Sequence, residues 1–336
     1  MACYLEEHAP MELNVPTACA VVVNPSKVPD LDTFRETVTR VLGAAGWPEP
    51  RWYETTPEDP GCGQATEAMK DGAEVVFAAG GDGTVMACVT ALAETDVALA
   101  ILPAGTGNLL AANLGLAADL DTGLAVAIEG GLRRLDVGRT EGSCFAVMAG
   151  LGFDAKMLDS TSEVTKKRIG WPAYVIGAAR HLRDRPMRVT ITIDDQPPFR
   201  RRARTVLIAN VGRLQGGVRL LEEADPADGK LDVAVLSPRT LSQWVAMAWG
   251  VMRRQGRVPS LEVLRGARVR IEAKGTEARQ LDGDLIDPGT VLEASVLPKA
   301  LWLCVPEPAG HPDLAVDANA AAERLQRLTK AGRIKD

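Results

Sequence analysis

The sequence is poor in the residues that build metal and disulfide frameworks. Its six cysteines (Cys3, Cys19, Cys62, Cys88, Cys144 and Cys304) lie far apart with no C-x-x-C pair, and it has only three histidines. A zinc site and a disulfide scaffold are both disfavoured, and the chain reads as cytoplasmic and reduced. It lacks an uninterrupted apolar run of the about 18 residues that a bilayer-spanning helix needs. Its start carries Glu6, Glu7 and Glu12 among few apolar positions, so no secretory leader with a basic start and an apolar centre is visible. With no transmembrane segment, any membrane association is expected to be peripheral. There is no positive excess either: 38 Lys and Arg stand against 44 Asp and Glu, a net charge of −6. That balance argues against a nucleic-acid partner held by a global field. Two familiar phosphate loops are also missing, since no G-x-x-x-x-G-K-[ST] occurs and Gly81–Met86 fails the G-x-G-x-x-G pattern.

What is present is an ordinary globular composition, 46% hydrophobic and 24% charged, over 336 residues. At about 150 residues per domain that length predicts two domains. Residues 1–138 alternate short β-branched runs (Ala20–Asn24, Arg51–Glu54, Glu74–Ala79, Ala98–Leu102) with helical patterns (Leu31–Leu42, Gln64–Lys70, Val85–Leu92). The alternation predicts a parallel sheet with crossover helices, whose ligands bind beyond the carboxyl ends of the strands. From residue 139 the period becomes two: Met187, Val189, Ile191 and Ile193 alternate with Arg188, Thr190, Thr192 and Asp194. That half, 139–309, is expected to be mostly antiparallel. Its other strands are Thr205–Val211, Leu231–Leu236, Ala267–Ala273, Val291–Leu297 and Leu301–Val305, with helical stretches near Glu163–Leu182 and Leu241–Arg254. A closing helix within 310–336 is expected to complete the first domain.

Two glycine-rich turns follow adjacent strands. Gly80-Gly81-Asp82-Gly83-Thr84-Val85 opens a helix, and Pro103-Ala104-Gly105-Thr106-Gly107-Asn108 follows the next strand at the same sheet edge. Glycines admit close backbone approach, and a helix N-terminus adds partial positive charge, which suits a phosphate. Plain tight turns are the bland alternative. Asp82 inside such a cradle makes sense if a cation lies between carboxylate and phosphate. Farther on, Asp225-Pro226-Ala227-Asp228-Gly229-Lys230-Leu231-Asp232 gathers hard oxygen ligands around a turn, and Gln280-Leu281-Asp282-Gly283-Asp284 sets carboxylates at a hairpin-type turn.

Together with Asn24-Pro25, these motifs resemble in order and spacing the soluble diacylglycerol kinase and sphingosine kinase family, over roughly residues 18–306. The resemblance implies an α/β nucleotide-binding domain with a parallel sheet, like that of NAD kinases and phosphofructokinases. A mostly antiparallel β-sandwich-like domain follows, with ATP in the cleft between the two. It implies that ATP lies against Asn24, Pro25, Ser26, Lys27 and Val28, the hydroxyl of Thr55 or its neighbour Thr56, the segment Gly81, Asp82, Gly83, Thr84, Val85, Met86 and Ala87, and Thr106. It implies Mg²⁺ on Asp225, Asp228 and the backbone carbonyl of Lys230. Asp284 would be the base that takes the proton of a lipid hydroxyl, with Asp282 as the next candidate. The family often has glutamate at the position of Asp284, Asn-Glu at Met86-Ala87 and Asp at Leu109. Asp136 could belong to the acidic network or sit in an exposed turn.

The implied activity is phosphorylation of diacylglycerol or a related lipid at a membrane surface. A sphingoid-base or other lipid-alcohol kinase is the enzymatic alternative, and a nucleotide-binding regulatory protein without catalysis is the non-enzymatic one. The basic and aromatic stretch from Lys166 to Arg185 could meet a bilayer or form a solvated helix face. Trp244 and Trp249 read as packing residues. A homodimer is left open.

Overall fold

The computed structural model describes residues 11–12, 15–104, 108–113, 120–152, 186–212, 220–221, 223–253 and 258–306. The expected helices within 163–182 and 310–336, the basic and aromatic stretch 166–185, and Thr106 lie outside the described residues. The chain divides into two compact units, Met1–Leu135 with Lys299–Asp336, and Asp136–Pro298.

In chain order the elements of the first unit are β1 (Met11–Glu12), β2 (Cys19–Val23), α1 (Leu31–Ala44), β3 (Arg51–Glu54), α2 (Cys62–Lys70), β4 (Val75–Gly80), α3 (Asp82–Leu92), β5 (Ala98–Pro103), α4 (Leu109–Asn113) and α5 (Leu120–Glu129). Strands β5, β4, β2 and β3 lie side by side, all parallel. Beyond β5, Trp302 and Leu303 near the end of the last strand pair parallel with Ala98 and Leu99. Every residue of β2, β4 and β5 is buried, as helices on both faces of a parallel sheet demand. Phe77, Leu42, Leu92, Leu99 and Leu102 are fully enclosed there, each contributing about 1.5–3 kcal/mol by leaving water. Helix α1 begins where Asp30 accepts the Thr33 amide at 3.0 Å, an N-cap that satisfies an otherwise orphaned donor. The register Val23↔Glu54, Val23↔Ala79 and Ala79↔Leu102 brings four strand ends level. The loops at Asn24, Thr55, Gly81 and Ala104 therefore leave from one edge.

The second unit is antiparallel throughout its described pairings. Its strands are the end of β6 (Gly131–Thr140), β7 (Ser143–Phe145), β8 (Met148–Gly152), β9 (Met187–Ile193), β10 (Phe199–Ala203), β11 (Thr205–Ala209), β12 (Leu231–Leu236), β13 (Leu261–Gly266), β14 (Arg268–Leu281) and the first part of β15 (Asp284–Val305), with helix α6 (Leu241–Met252) between β12 and β13. The order runs β13-β12-β11-β8-β14, and β14 also pairs with β9 and β15. In β9, Met187, Val189, Ile191 and Ile193 are buried while Arg188 is exposed, the inward and outward alternation that the spacing predicts. The fold class is as expected, an α/β domain with a parallel sheet plus an antiparallel sandwich-like domain. One correction concerns the last strands. Ala267–Ala273 is the start of a 14-residue strand, and Val291–Leu297 and Leu301–Val305 are parts of one 22-residue element.

Candidate functional site

The four loops at the sheet edge are shaped by their own side chains. Asn24 Oδ1 accepts the Ser26 amide at 3.0 Å and the Ser26 hydroxyl at 2.7 Å, and the Asn24 carbonyl accepts the Lys27 amide. This tight turn buries Val28 and leaves Lys27 exposed. Thr55, 8% exposed, continues from β3 through its amide to Val23 O. Thr56, which is exposed, accepts the Asp59 amide at 3.1 Å through its hydroxyl oxygen.

Gly80 and Gly81 differ in kind. A Cβ on Gly80 would lie 2.6 Å from the Thr84 side chain, so packing explains that glycine. At Gly81, φ is −88° and the backbone is extended, a conformation any residue adopts. Among the described residues a Cβ there would meet only the Lys27 side chain, at 4.0 Å. Neither the backbone conformation nor packing among the described residues asks for glycine at this N-cap, and the small residue admits close approach of a ligand. Helix α3 begins directly after it, without a side-chain cap, leaving its first amides for an anion. The side chains of Thr84, Val85 and Ala87 are buried and Met86 is half-buried, and the Val85 amide already donates to Gly81 O. Those positions can serve a ligand only through the turn that they anchor, whereas Gly81, Asp82 and Gly83 lie at its open end.

Asp82 Oδ1 accepts the Leu109 amide at 2.6 Å, so it ties the start of α3 to the start of α4. Asn108, 8% exposed, accepts the Ala111 amide at 2.8 Å through Oδ1. Its Nδ2 is buried with no hydrogen-bond partner among the described residues. A buried donor without an acceptor costs about 1–3 kcal/mol, so it is a fitting contact for a ligand oxygen. Sequence reasoning placed Asn108 in the motif but not in the site. This set of amides, an ammonium, a glycine with open space and an orphaned amide donor suits a phosphate-bearing ligand.

In the second unit Asp136 resolves the earlier ambiguity: it is 1% exposed, within β6. Its Oδ2 accepts the Gly229 amide at 2.6 Å, and its own amide donates to Pro226 O. It thus clamps the acidic turn. Asp225 Oδ1 accepts the Ala227 amide and Asp228 Oδ1 the Lys230 amide, each at 3.0 Å. Burial pushes the Asp228 carboxyl above the usual carboxylate range and neighbouring Asp225 adds to the rise, against the pull of Arg265. Arg265 lies 3.7 Å from Asp228, but donates at 3.0 Å to Asp232 and at 2.6 Å to Glu223 O. Among the described residues no group of three His, Cys, Asp or Glu is close enough to cage a metal. Two carboxylates and a carbonyl in one turn still match the sparse protein ligation of Mg²⁺, which keeps several waters and phosphate oxygens.

The Asp284 turn is built from Asp-Gly chemistry. Leu281 pairs with Asp284 across Asp282 (φ 45°) and Gly283 (φ 96°), the two positive φ values of a type I′ hairpin. Asp284 is exposed. Asp282 is 6% exposed and accepts three amides, from Ala146, Val147 and Met148, at 2.8, 2.9 and 2.6 Å. Both of its oxygens are engaged, which removes it as the alternative base and makes it the anchor of the turn. Asn210 Nδ2 bridges Ala146 O and Asp136 O at 3.0 and 2.7 Å. The acidic turn, Asp136, Asn210, residues 146–148 and the Asp282 turn therefore form one connected framework. Asp282→Asn replaces one acceptor oxygen with an NH2 donor that faces donating amides, and is expected to destabilise the protein by about 3 kcal/mol. Urea unfolding checks this, and an unchanged midpoint would mean that the anchor carries no weight.

Comparison with known proteins follows the same division. Residues 18–140 match the family model described as diacylglycerol kinase catalytic domain, and residues 146–305 the YegS C-terminal NAD kinase beta sandwich-like domain. A Pseudomonas aeruginosa PAO1 protein named "Probable lipid kinase YegS-like" is 33% identical over 73% of this chain and 80% of its own length. One with the same name from Enterobacter sp. (strain 638) is 33% identical over 51% of this chain, and the match spans 59% of that relative. A crystal structure of a Bacillus anthracis Sterne diacylglycerol kinase superposes with a TM-score of 0.69 at 20% identity, covering 88% of this chain and 99% of the other.

Proposed function

The chain belongs to the lipid kinase family that joins a diacylglycerol kinase catalytic domain to a YegS-type C-terminal domain, and from that premise we infer that it transfers the γ-phosphate of ATP to the hydroxyl of diacylglycerol or a related neutral lipid. The observation that carries the nucleotide half is Gly81, a glycine with open space among the described residues, beside Lys27 and at a helix N-terminus. Phosphoryl transfer needs positioned donors more than covalent chemistry. Lys27, the amides from Gly81 to Gly83 and the Asn108 side chain supply them. In the second unit the Asp284 carboxylate accepts the proton of the lipid hydroxyl as its oxygen bonds to phosphorus and the bond to the ADP oxygen breaks. Asp225, Asp228 and the Lys230 carbonyl would hold Mg²⁺, which would supply positive charge to the phosphate oxygens.

Turnover of radiolabelled ATP against a panel of lipid alcohols in mixed micelles tests the reading. Labelled phosphatidic acid from diacylglycerol is expected. ATP binding without transfer to any lipid would instead leave a nucleotide-binding regulator.

The metal turn is tested by Asp228→Ala. Arg265 retains Asp232 and Glu223 O, so the variant stays folded. Turnover and Mg²⁺ affinity should fall together by at least about tenfold, the scale on which metal-supporting groups act. An unaltered Mg²⁺ dependence of turnover would return the turn to ordinary solvated acids.

A further inference from the structure

Helix α6 is apolar almost all round. From Leu241 to Met252 its polar groups are the Ser242 and Gln243 side chains and the indole N–H groups of Trp244 and Trp249. A helix of that kind is ordinarily enclosed on every side. Here one face is closed, with Met247 and Gly250 buried, and the opposite face is open. Leu241, Val245 and Trp249 are 42%, 46% and 49% exposed. Their spacing of i, i+4 and i+8 stacks them along one line, flanked by exposed Ser242 and Ala246. The expectation that Trp249 is a packing residue is thereby corrected.

Charge along the sequence around this helix has one sign. Arg239 and Arg253, both exposed, stand at the two ends of the helix, and no acidic residue occurs from Val233 to Leu261 in a chain whose net charge is −6. The Arg253 guanidinium carbon lies 4.4 Å from the centroid of the Trp249 ring, so a cation is held against the exposed indole. Indoles settle at the boundary of headgroup and acyl chain, and cations beside them meet lipid phosphates. A second copy of this chain is the poorer fit, because a two-fold contact of the face with itself would set arginines against arginines with no acid between.

We propose that the open face of α6 docks on an anionic phospholipid bilayer, lying in the interface plane with Leu241, Val245 and Trp249 inserted and Arg239 and Arg253 on lipid phosphates. The choice of occupant rests on the lipid kinase reading. Co-sedimentation of the full chain, without ATP, with vesicles of phosphatidylcholine alone or mixed equally with phosphatidylglycerol tests it. Val245→Gln with Trp249→Gln should lower the partition onto mixed vesicles about tenfold or more, with an unaltered melting temperature because both side chains are at the surface. Arg239→Gln with Arg253→Gln should weaken binding to the mixed vesicles only, and flatten its salt dependence. Unchanged partition in both double variants overturns the proposal. So does a wild-type dimer in sedimentation velocity that the Val245→Gln/Trp249→Gln variant converts to monomer. Phosphorylation of a short-chain, water-soluble diacylglycerol without vesicles should be equal in wild type and that variant. Its absence from both would refute the kinase reading and leave the vesicle measurement to decide the surface.

Discussion

Gly81→Val is expected to abolish ATP binding while the protein stays folded. The backbone at Gly81 is extended, with φ of −88°, so valine meets no left-handed strain, and among the described residues its Cβ would find only Lys27 at 4.0 Å. The residual cost is that of a poor N-cap, about 1 kcal/mol, which a domain of this size tolerates. Two methyl groups would then occupy the space in front of the α3 amides, between Lys27 and the helix end. A phosphate excluded by van der Waals contact loses all of those donors at once, so the effect on affinity is far larger than the effect on stability. Calorimetric titration with ATP, paired with a thermal melt, separates the two. Unchanged affinity would show that the open space beside Gly81 does not hold phosphate, whatever the melt gives.

The parallel sheet was legible because strands buried on both faces need unbroken apolar runs, and Cys19–Val23 and Val75–Ala79 are such runs. Helix starts were less legible where glycine obscured them. The propensity of Gly83 points away from helix, so α3 reads as beginning at Val85. It begins at Asp82 because the Asp82 carboxylate holds Leu109 and the first turn is anchored by buried Thr84. Helix α2 begins early for a similar reason, with the Asp59 carboxylate accepting the Gly61 and Gly63 amides. The long β14 and β15 strands hid behind Lys274-Gly275 and Pro288-Gly289. Their ladder continues past a register shift at Glu277, where Arg279 fills the gap by donating to Asp287 O and Val291 O.

In the site, motifs revealed which residues gather, but not which do the gathering. Asp136 and Asn210 each sit between apolar neighbours in sequence, a carboxylate or amide where a core residue would go. That pattern was a usable signal for a buried polar framework, because such groups survive burial only when hydrogen-bonded. The spacing of Trp249 said which face it occupies on α6 and nothing about whether that face is covered. Coverage depends on elements distant in sequence, so only the structure could correct it.

Asp284→Asn should leave ATP binding nearly intact and cut turnover at least about 100-fold, the scale of a lost proton transfer. The amide keeps the size of the side chain and removes the proton acceptor. The turn itself is held firmly: Asp282 takes three amides of residues 146–148, and the Gly283 amide donates to Gln280 Oε1 at 2.8 Å. The Asp284 backbone is therefore not free to slide towards a hydroxyl, so the stem length of the side chain sets the reach of its carboxylate. Asp284→Glu, longer by one methylene, becomes the informative partner, since misplacement of about 1 Å can change a rate on the order of 100-fold. With the backbone pinned, glutamate is expected to keep or raise turnover while ATP affinity holds. A fall in turnover with glutamate would mean that the turn already sets the shorter carboxylate at the hydroxyl. Full turnover in the asparagine variant, with ATP and lipid both saturating, would show that the proton leaves by another route. Asp282 could not supply that route, because its oxygens are spent on the turn.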